Sequence, residues 1–233
     1  MNKDNYRCYT YQLDMKVLNI LAIILFVVMM IVVCLIGIDY SDIAKYDILT
    51  LIVLMILWLM LHEILHGVGF VLFKEVNRKN IVFGMALEKG VFYCMCKQKI
   101  SRQVIFTSLL FPFTIIGVIT FILGVIIDNG LLVYLSMANI VGSIGDIMMS
   151  IYFSRCPREV VYLDLDDCTS FTVLSKSDIS NVKVSGIKLV SSGNYDSNMK
   201  AKDRRRLVIS RESWYVLIVI FILILVKIIG GVL

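Results

Sequence analysis

Two things are scarce in this chain of 233 residues: histidine, of which there are 2, and charge, carried by 18% of positions. A soluble domain averages about 25% charged residues and is nearer half apolar. Here the apolar fraction is 59% and the mean hydropathy +0.85. There is no internal repeat and no low-complexity linker, so solenoid architectures are excluded. None of the 6 cysteines has a neighbour at the spacing of a structural zinc knuckle, because Cys94 and Cys96 enclose a single residue. Two neighbouring strand residues that happen to be cysteine is the simpler account of that pair. With no third histidine, a zinc site built on both must draw its remaining protein ligand from Asp, Glu or Cys.

Long apolar blocks stand where charge is missing. Five approach or exceed the roughly 20 residues that span a bilayer as a helix. They cover 17–38, 48–73, about 103–127, about 130–153 and 214–233. The first is too long for a signal-peptide core and lacks a small-residue cleavage site, so it is expected to be a retained span. Loop charge predicts the orientation. The stretch after the first block carries Asp39, Asp42 and Asp47 against Lys45, and the one after the third is only "DNG"; both are expected outside. Lys74, Arg78, Lys79, Lys89, Lys97, Lys99 and Arg102 follow the second block, and Arg155, Arg158, Lys176 and "KAKDRRR" follow the fourth. Both of these are expected in the cytoplasm, with the N-terminus inside and the C-terminus outside.

The net charge of +5 therefore reflects inside-positive bias, and Arg204–Arg206 reads as an anchor on anionic lipid. These basic residues have no aromatic interleaving and adjoin a span, so nucleic acid is not an expected partner. Cys8, Cys94, Cys96, Cys156 and Cys168 fall on the cytoplasmic side and Cys34 within the first span, which argues against a disulfide framework.

Residues 80–97, "NIVFGMALEKGVFYCMCK", read as a β-hairpin turning at "EKG" and either lying against the membrane face or dipping into the protein. After the fourth block, "EVVYLDLDD", "SFTVLS" and "NVKVSGIKLV" predict a small β element, followed by a polar linker, "SSGNYDSNMKAKD". The expected fold class is an all-α polytopic membrane protein with about five transmembrane helices, the hairpin and this β element. The expected domains are a membrane domain over 1–153, a small cytoplasmic β-rich segment with its linker over 154–213, and a last helix over 214–233.

The second block contains both histidines, in "HEILHG". On a helix His62 and His66 face the same way, one turn apart, and Glu63 reaches the same zone. In the His-Glu-x-x-His arrangement two neutral imidazoles hold zinc and the carboxylate is general base towards the water that zinc activates. The pattern by itself is weak and occurs by chance in soluble helices. Inside a span, ionisable side chains are costly and usually face a functional cavity. The plainer alternative is a satisfied polar cluster that packs the bundle.

Asp146 is the only acidic residue well inside another block, and so the candidate third ligand. From the motif's centre to Lys74 is about ten residues, or roughly 15 Å of helix, and from Asp146 to Arg155 roughly 14 Å. The two sites are therefore expected at one depth, in the cytoplasmic half of the membrane. Gly142, Ser143 and Gly145 surround Asp146 and are expected to let helices approach closely, whether for the site or for ordinary packing. Asn139, two turns earlier, is a candidate catalytic residue that donates to an oxyanion or substrate backbone; interhelical bonding is the alternative. Pro112 interrupts the third block, either widening an access route or as a tolerated kink.

These residues resemble a known plan. His-Glu-x-x-His on one span and Asp on a later one are similar to the site-2 protease family of intramembrane zinc metalloproteases. "HEILHG", "YC" at 93–94, "LLFPF" at 109–113, "GSIGDI" at 142–147 and "CPREVVYLDLDD" are similar to the bacterial "putative zincin peptidase" family of small membrane proteins. The resemblance covers roughly 47–175 and implies zinc on His62, His66 and Asp146 with Glu63 as base. The chain departs from the site-2 proteases in having no Pro between Asn139 and Asp146, and Ile147 after Asp146. That departure bears on Asn139 more than on the metal ligands.

The expected function is a membrane-embedded zinc metalloprotease of the bacterial cell membrane, cutting membrane proteins or peptides that unwind and add to the hairpin edge. One rival is a non-catalytic accessory or immunity-type membrane protein whose metal site is structural. The other is a proton or ion pathway, for which three such groups plus Lys227, itself read as snorkelling, are too few.

Overall fold

The computed structural model describes residues 6–41, 43–86, 91–163, 170–195, 207–208 and 219. Strand β1 (Arg7–Leu13) comes first. Helix α1 (Met15–Ile36) starts where the Asp14 carboxylate accepts from the Lys16 and Val17 N–H groups. It ends at Gly37, whose φ of 79° makes a left-handed cap with its N–H on the Val33 carbonyl. Helix α2 (Ile48–Val71) starts in the same way, with Asp47 accepting from the Thr50 N–H.

The third apolar block is one rod with an irregular middle. Helix α3 (Arg102–Pro112) passes into a π-helical stretch (Phe113–Ile119) and then helix α4 (Thr120–Ile126). Proline has no N–H, so a regular ladder cannot run through residue 112. The fourth block is broken. Helices α5 (Gly130–Gly142) and α6 (Ile144–Arg155) meet at Ser143 with a 48° bend. The Ser143 hydroxyl donates to the Asn139 carbonyl at 2.8 Å, a back-bond that bends helices.

Three helical rods, Met15–Ile36, Ile48–Val71 and Arg102–Ile126, are long and apolar enough to cross a membrane, and the bent α5–α6 pair makes up to four. Many apolar side chains of α1 are exposed, among them Ile20, Ile23 and Leu35, which suits a lipid-facing helix. The expected fifth span at 214–233 lies outside the described residues apart from Val219, as do Cys168, Arg204–Arg206 and Lys227.

The expectation of an all-α protein is overturned. The fold is mixed α and β, with a five-stranded sheet in the order β4-β5-β6-β1-β7. Its other members are β4 (Ile100–Ser101), β5 (Val161–Leu163), β6 (Ser170–Ser175) and β7 (Ile187–Asn194). All pairings are antiparallel, with Tyr9 opposite Val173 on one side and Ser192 on the other. The N-terminal strand therefore fills an interior position. In a short chain segment before a span, seven residues give little periodic signal, and their partners lie far away in sequence. β7 also starts later than "NVKVSGIKLV" predicts and runs through Asn194, into residues expected to be linker.

The sheet and the helices share one core. Tyr11 stacks on Phe171 at 5.6 Å and meets Tyr152 of α6 at 4.7 Å, while Phe153 packs edge-on to Tyr162 at 5.8 Å. Each such aromatic pair adds about 0.5–1.5 kcal/mol beyond the area it buries. The Tyr11 hydroxyl donates to the Ile179 carbonyl at 3.1 Å.

The expected hairpin is present as β2 (Ile81–Ala86) and β3 (Val91–Cys96), with Phe83 opposite Cys94; its turn lies outside the described residues. A short strand β8 (Leu207–Val208) adds to β2, giving a second sheet in the order β3-β2-β8. The hairpin packs directly on α2. A Cβ placed on Gly67 would sit 2.4 Å from the Phe83 ring, so any larger residue beside His66 would have to displace that ring. Among the described cysteines, Cys8, Cys96 and Cys156 are buried, Cys94 is half-buried and Cys34 is exposed.

Candidate metal centre

Helix α2 sets His62 and His66 one turn apart, and their Nε2 atoms lie 3.0 Å from each other. The first turn of α6 adds Asp146, whose Oδ2 lies 3.1 Å from His62 Nε2 and 3.6 Å from His66 Nε2. In tetrahedral zinc with bonds near 2.0–2.1 Å, neighbouring ligand atoms are about 3.3 Å apart. The three observed edges bracket that value.

The hydrogen bonds behind the rings decide which nitrogens face inward. His66 Nδ1 is 2.8 Å from the Ser108 carbonyl oxygen, which can only accept, so Nδ1 carries the proton. The Asn139 Nδ2 donates to the Pro112 carbonyl at 3.3 Å, leaving Oδ1 to accept from His62 Nδ1 at 2.8 Å. Both neutral rings then direct a bare Nε2 lone pair at the same point as a carboxylate oxygen. Three such acceptors repel one another unless they share a cation or a proton. The donor set therefore fits a divalent ion, and two nitrogens with one oxygen suit zinc.

Glu63 is half-buried and turned to the neighbouring side of α2. Its carboxylate accepts from the Cys94 N–H of β3. It lines a cavity of about 220 Å³ together with His66, Asp146, Phe70, Phe92 and Phe171. A Glu63 oxygen lies within 4.8 Å of both imidazoles, so His62, Glu63 and His66 by themselves also form a possible metal group. Asp146 Oδ2 lies within 3.6 Å of both Nε2 atoms, and Glu63 also lines the cavity.

The structure thus brings together His62, Glu63, His66, Asn139 and Asp146. It does so differently from the expectation in two respects. Gly142 and Gly145 face open space, with nothing within 4 Å of a Cβ built on either. Close helix approach occurs instead at Gly69, where a Cβ would meet the Ser108 backbone at 2.7 Å. The Asn139 amide is engaged at both ends, by His62 and Pro112. Sequence reasoning missed Ser108 altogether. The available signal was Pro112, since a helical proline frees the carbonyl of the residue four before it.

Comparison with known proteins follows this geometry. Residues 55–161 match the model of a family described as "putative zincin peptidase". The match spans less than half of the chain and contains all five site residues. It supports a zinc metallopeptidase, and zinc is the ion it implies. No curated protein and no solved structure matches the chain.

Proposed function

We propose that this protein is a membrane-embedded zinc metalloprotease, similar in plan to the site-2 proteases, that hydrolyses peptide bonds in membrane-associated or transmembrane substrates. One observation carries the reading: a triangle of His62 Nε2, His66 Nε2 and Asp146 Oδ2 beside a cavity that Glu63 also lines. A structural zinc fills all four positions with protein atoms, whereas a catalytic one keeps a position open. The adjoining cavity favours the catalytic form over an accessory protein with a closed metal site.

Zinc, when bound, supplies a Lewis acid that makes water acidic and polarises a carbonyl. Within that setting His62, His66 and Asp146 are the ligands. Glu63 takes the proton from water as the hydroxyl adds to the scissile carbonyl carbon. It then passes that proton to the amine as the C–N bond breaks. β3, an edge of its sheet among the described residues, offers backbone groups to an unwound substrate segment.

Placement in the membrane has independent support. β1 precedes α1 and pairs with β6, which follows α6, so both ends of the helical region lie on one side. That requires an even number of crossings, and counting the bent α5–α6 pair as one span makes four. The basic loops support a cytoplasmic assignment for that side.

The test is Glu63→Gln in detergent-purified protein and in cells. Bound zinc is expected at the wild-type ratio, with cleavage of a co-expressed membrane substrate abolished. Cleavage that persists in this variant removes Glu63 as the base.

A further inference from the structure

We propose that Pro112 is a positioning residue for the metal centre: the break it makes in the third span supplies the two backbone carbonyls that aim His62 and His66 at the ion. The inference rests on the reading that this site holds zinc.

In an unbroken helix the Ser108 carbonyl would accept from the N–H of residue 112. Proline has none, and the next N–H, that of Phe113, goes to the Leu110 carbonyl instead. The Ser108 oxygen is taken up by His66 Nδ1 at 2.8 Å. The same two residues bond a second time, the Ser108 hydroxyl donating to the His66 carbonyl at 2.8 Å. Gly69, against the Ser108 backbone, lets the helices come this close.

The second carbonyl is that of Pro112. It opens the π-helical stretch, and it accepts from Asn139 Nδ2 at 3.3 Å. Gly117 makes room, since a Cβ there would lie 3.2 Å from that nitrogen. Fixing the amide in this sense turns Oδ1 to His62 Nδ1. Both histidines are thereby held as the Nδ1–H tautomer, with Nε2 free for the ion. Outer partners of metal-bound histidines fix tautomer and ring orientation, and their loss costs about 10–100-fold in metal affinity.

The opposing account is a proline that merely bends the rod. The two separate cleanly in Pro112→Ala, which restores an N–H that competes with His66 for the Ser108 carbonyl. Zinc affinity is read by chelator competition in detergent, the Co²⁺ d–d spectrum reports coordination geometry, and apoprotein melting reports stability. The expected result is zinc binding about 10–100-fold weaker, a shifted Co²⁺ spectrum, and apoprotein melting no lower than wild type. Asn139→Leu is expected to weaken zinc similarly, while Asn139→Asp, which keeps an acceptor for His62 but loses the N–H taken by the Pro112 carbonyl, restores it only in part. Thr120→Val, in the same rod, breaks the 2.6 Å hydrogen bond to Ser136 of α5 and should lower melting without touching zinc affinity.

Wild-type affinity and spectrum in Pro112→Ala overturn the proposal. Should that variant not fold, wild-type affinity in Asn139→Leu overturns it equally. A wild type that binds no zinc removes the metalloprotease reading and this inference together, whereas a zinc-binding wild type beside an unaffected Pro112→Ala removes only the positioning role.

Discussion

Asp146 Oδ2 lies 3.1 Å from His62 Nε2, although 84 residues separate them along the chain. The contact joins the first turn of α6 to the C-terminal half of α2. Seven residues apart, Asn139 and Asp146 would face much the same way even on a straight helix, and the 48° bend at Ser143 lies between them. One block thus presents the amide to His62 Nδ1 and the carboxylate to its Nε2.

Replacing that carboxylate isolates its charge. Asp146→Asn keeps the shape and removes one negative ligand. Zinc content of the purified protein is expected to fall, with affinity lower by at least about tenfold, the smallest loss typical of outer partners. Metal analysis beside wild type reads the outcome. Unchanged stoichiometry and affinity would falsify Asp146 as a ligand.

Two glycines make a paired test of where the helices touch. Gly69→Ala places a methyl 2.7 Å from the Ser108 backbone, which cannot give way as a flexible side chain would. Overpacking of this kind costs about 1–3 kcal/mol. Gly142→Ala meets nothing within 4 Å and replaces a poor helix former at the end of α5. It should be neutral or stabilising by up to about 1 kcal/mol. Thermal unfolding in one detergent compares the two, and equal melting temperatures would contradict the close approach.

The N-terminal strand is a clamp on α6, and Tyr11 tests it. Tyr11→Phe keeps the ring against Tyr152 and Phe171 and loses only the bond to the Ile179 carbonyl, at a cost of about 0.5–1.5 kcal/mol. Tyr11→Ala also removes the ring, for about 3–5 kcal/mol in total by analogy with other large-to-small aromatic changes. Limited proteolysis of the sheet should accelerate in the Ala variant far more than in the Phe variant.

One pH dependence follows from Asp14. The hydrogen bond from the Lys188 ammonium, joined by the Val17 and Lys16 N–H groups, holds its carboxyl below the ordinary 3.8. A depressed folded value means the stabilisation is complete above the unfolded value and is lost as pH falls through the folded one. Asp14→Asn keeps a capping side chain but no charge. Its melting temperature should lie below wild type near neutrality, and the gap should close as pH drops under about 4. A gap that persists at pH 2 would show that the charge is not responsible.

The His62, Glu63 and His66 group was readable because its logic is local. Four-residue spacing on an apolar helix puts two imidazoles on one face whatever surrounds them, and a chain with no third histidine leaves few partners for them. The hairpin was readable too, since its strands are neighbours in sequence. The five-stranded sheet was not: Tyr9 pairs with Val173, and nothing near Tyr9 announces that partner. Nor was the support behind His66, because the group that holds it is a backbone carbonyl, which every residue has.

By itself the sequence determined the apolar rods, the His-Glu-x-x-His face within one of them, and the presence of an acidic residue in a later one, since these depend on composition and helical period. Tertiary structure alone decided that β1 enters the middle of a sheet, that the fourth block breaks before Asp146, and that the carbonyls of Ser108 and Pro112 meet His66 and Asn139. The physical reason is that such contacts are set by packing between distant segments, and by backbone atoms whose availability depends on which hydrogen bonds the neighbouring turns leave unmade.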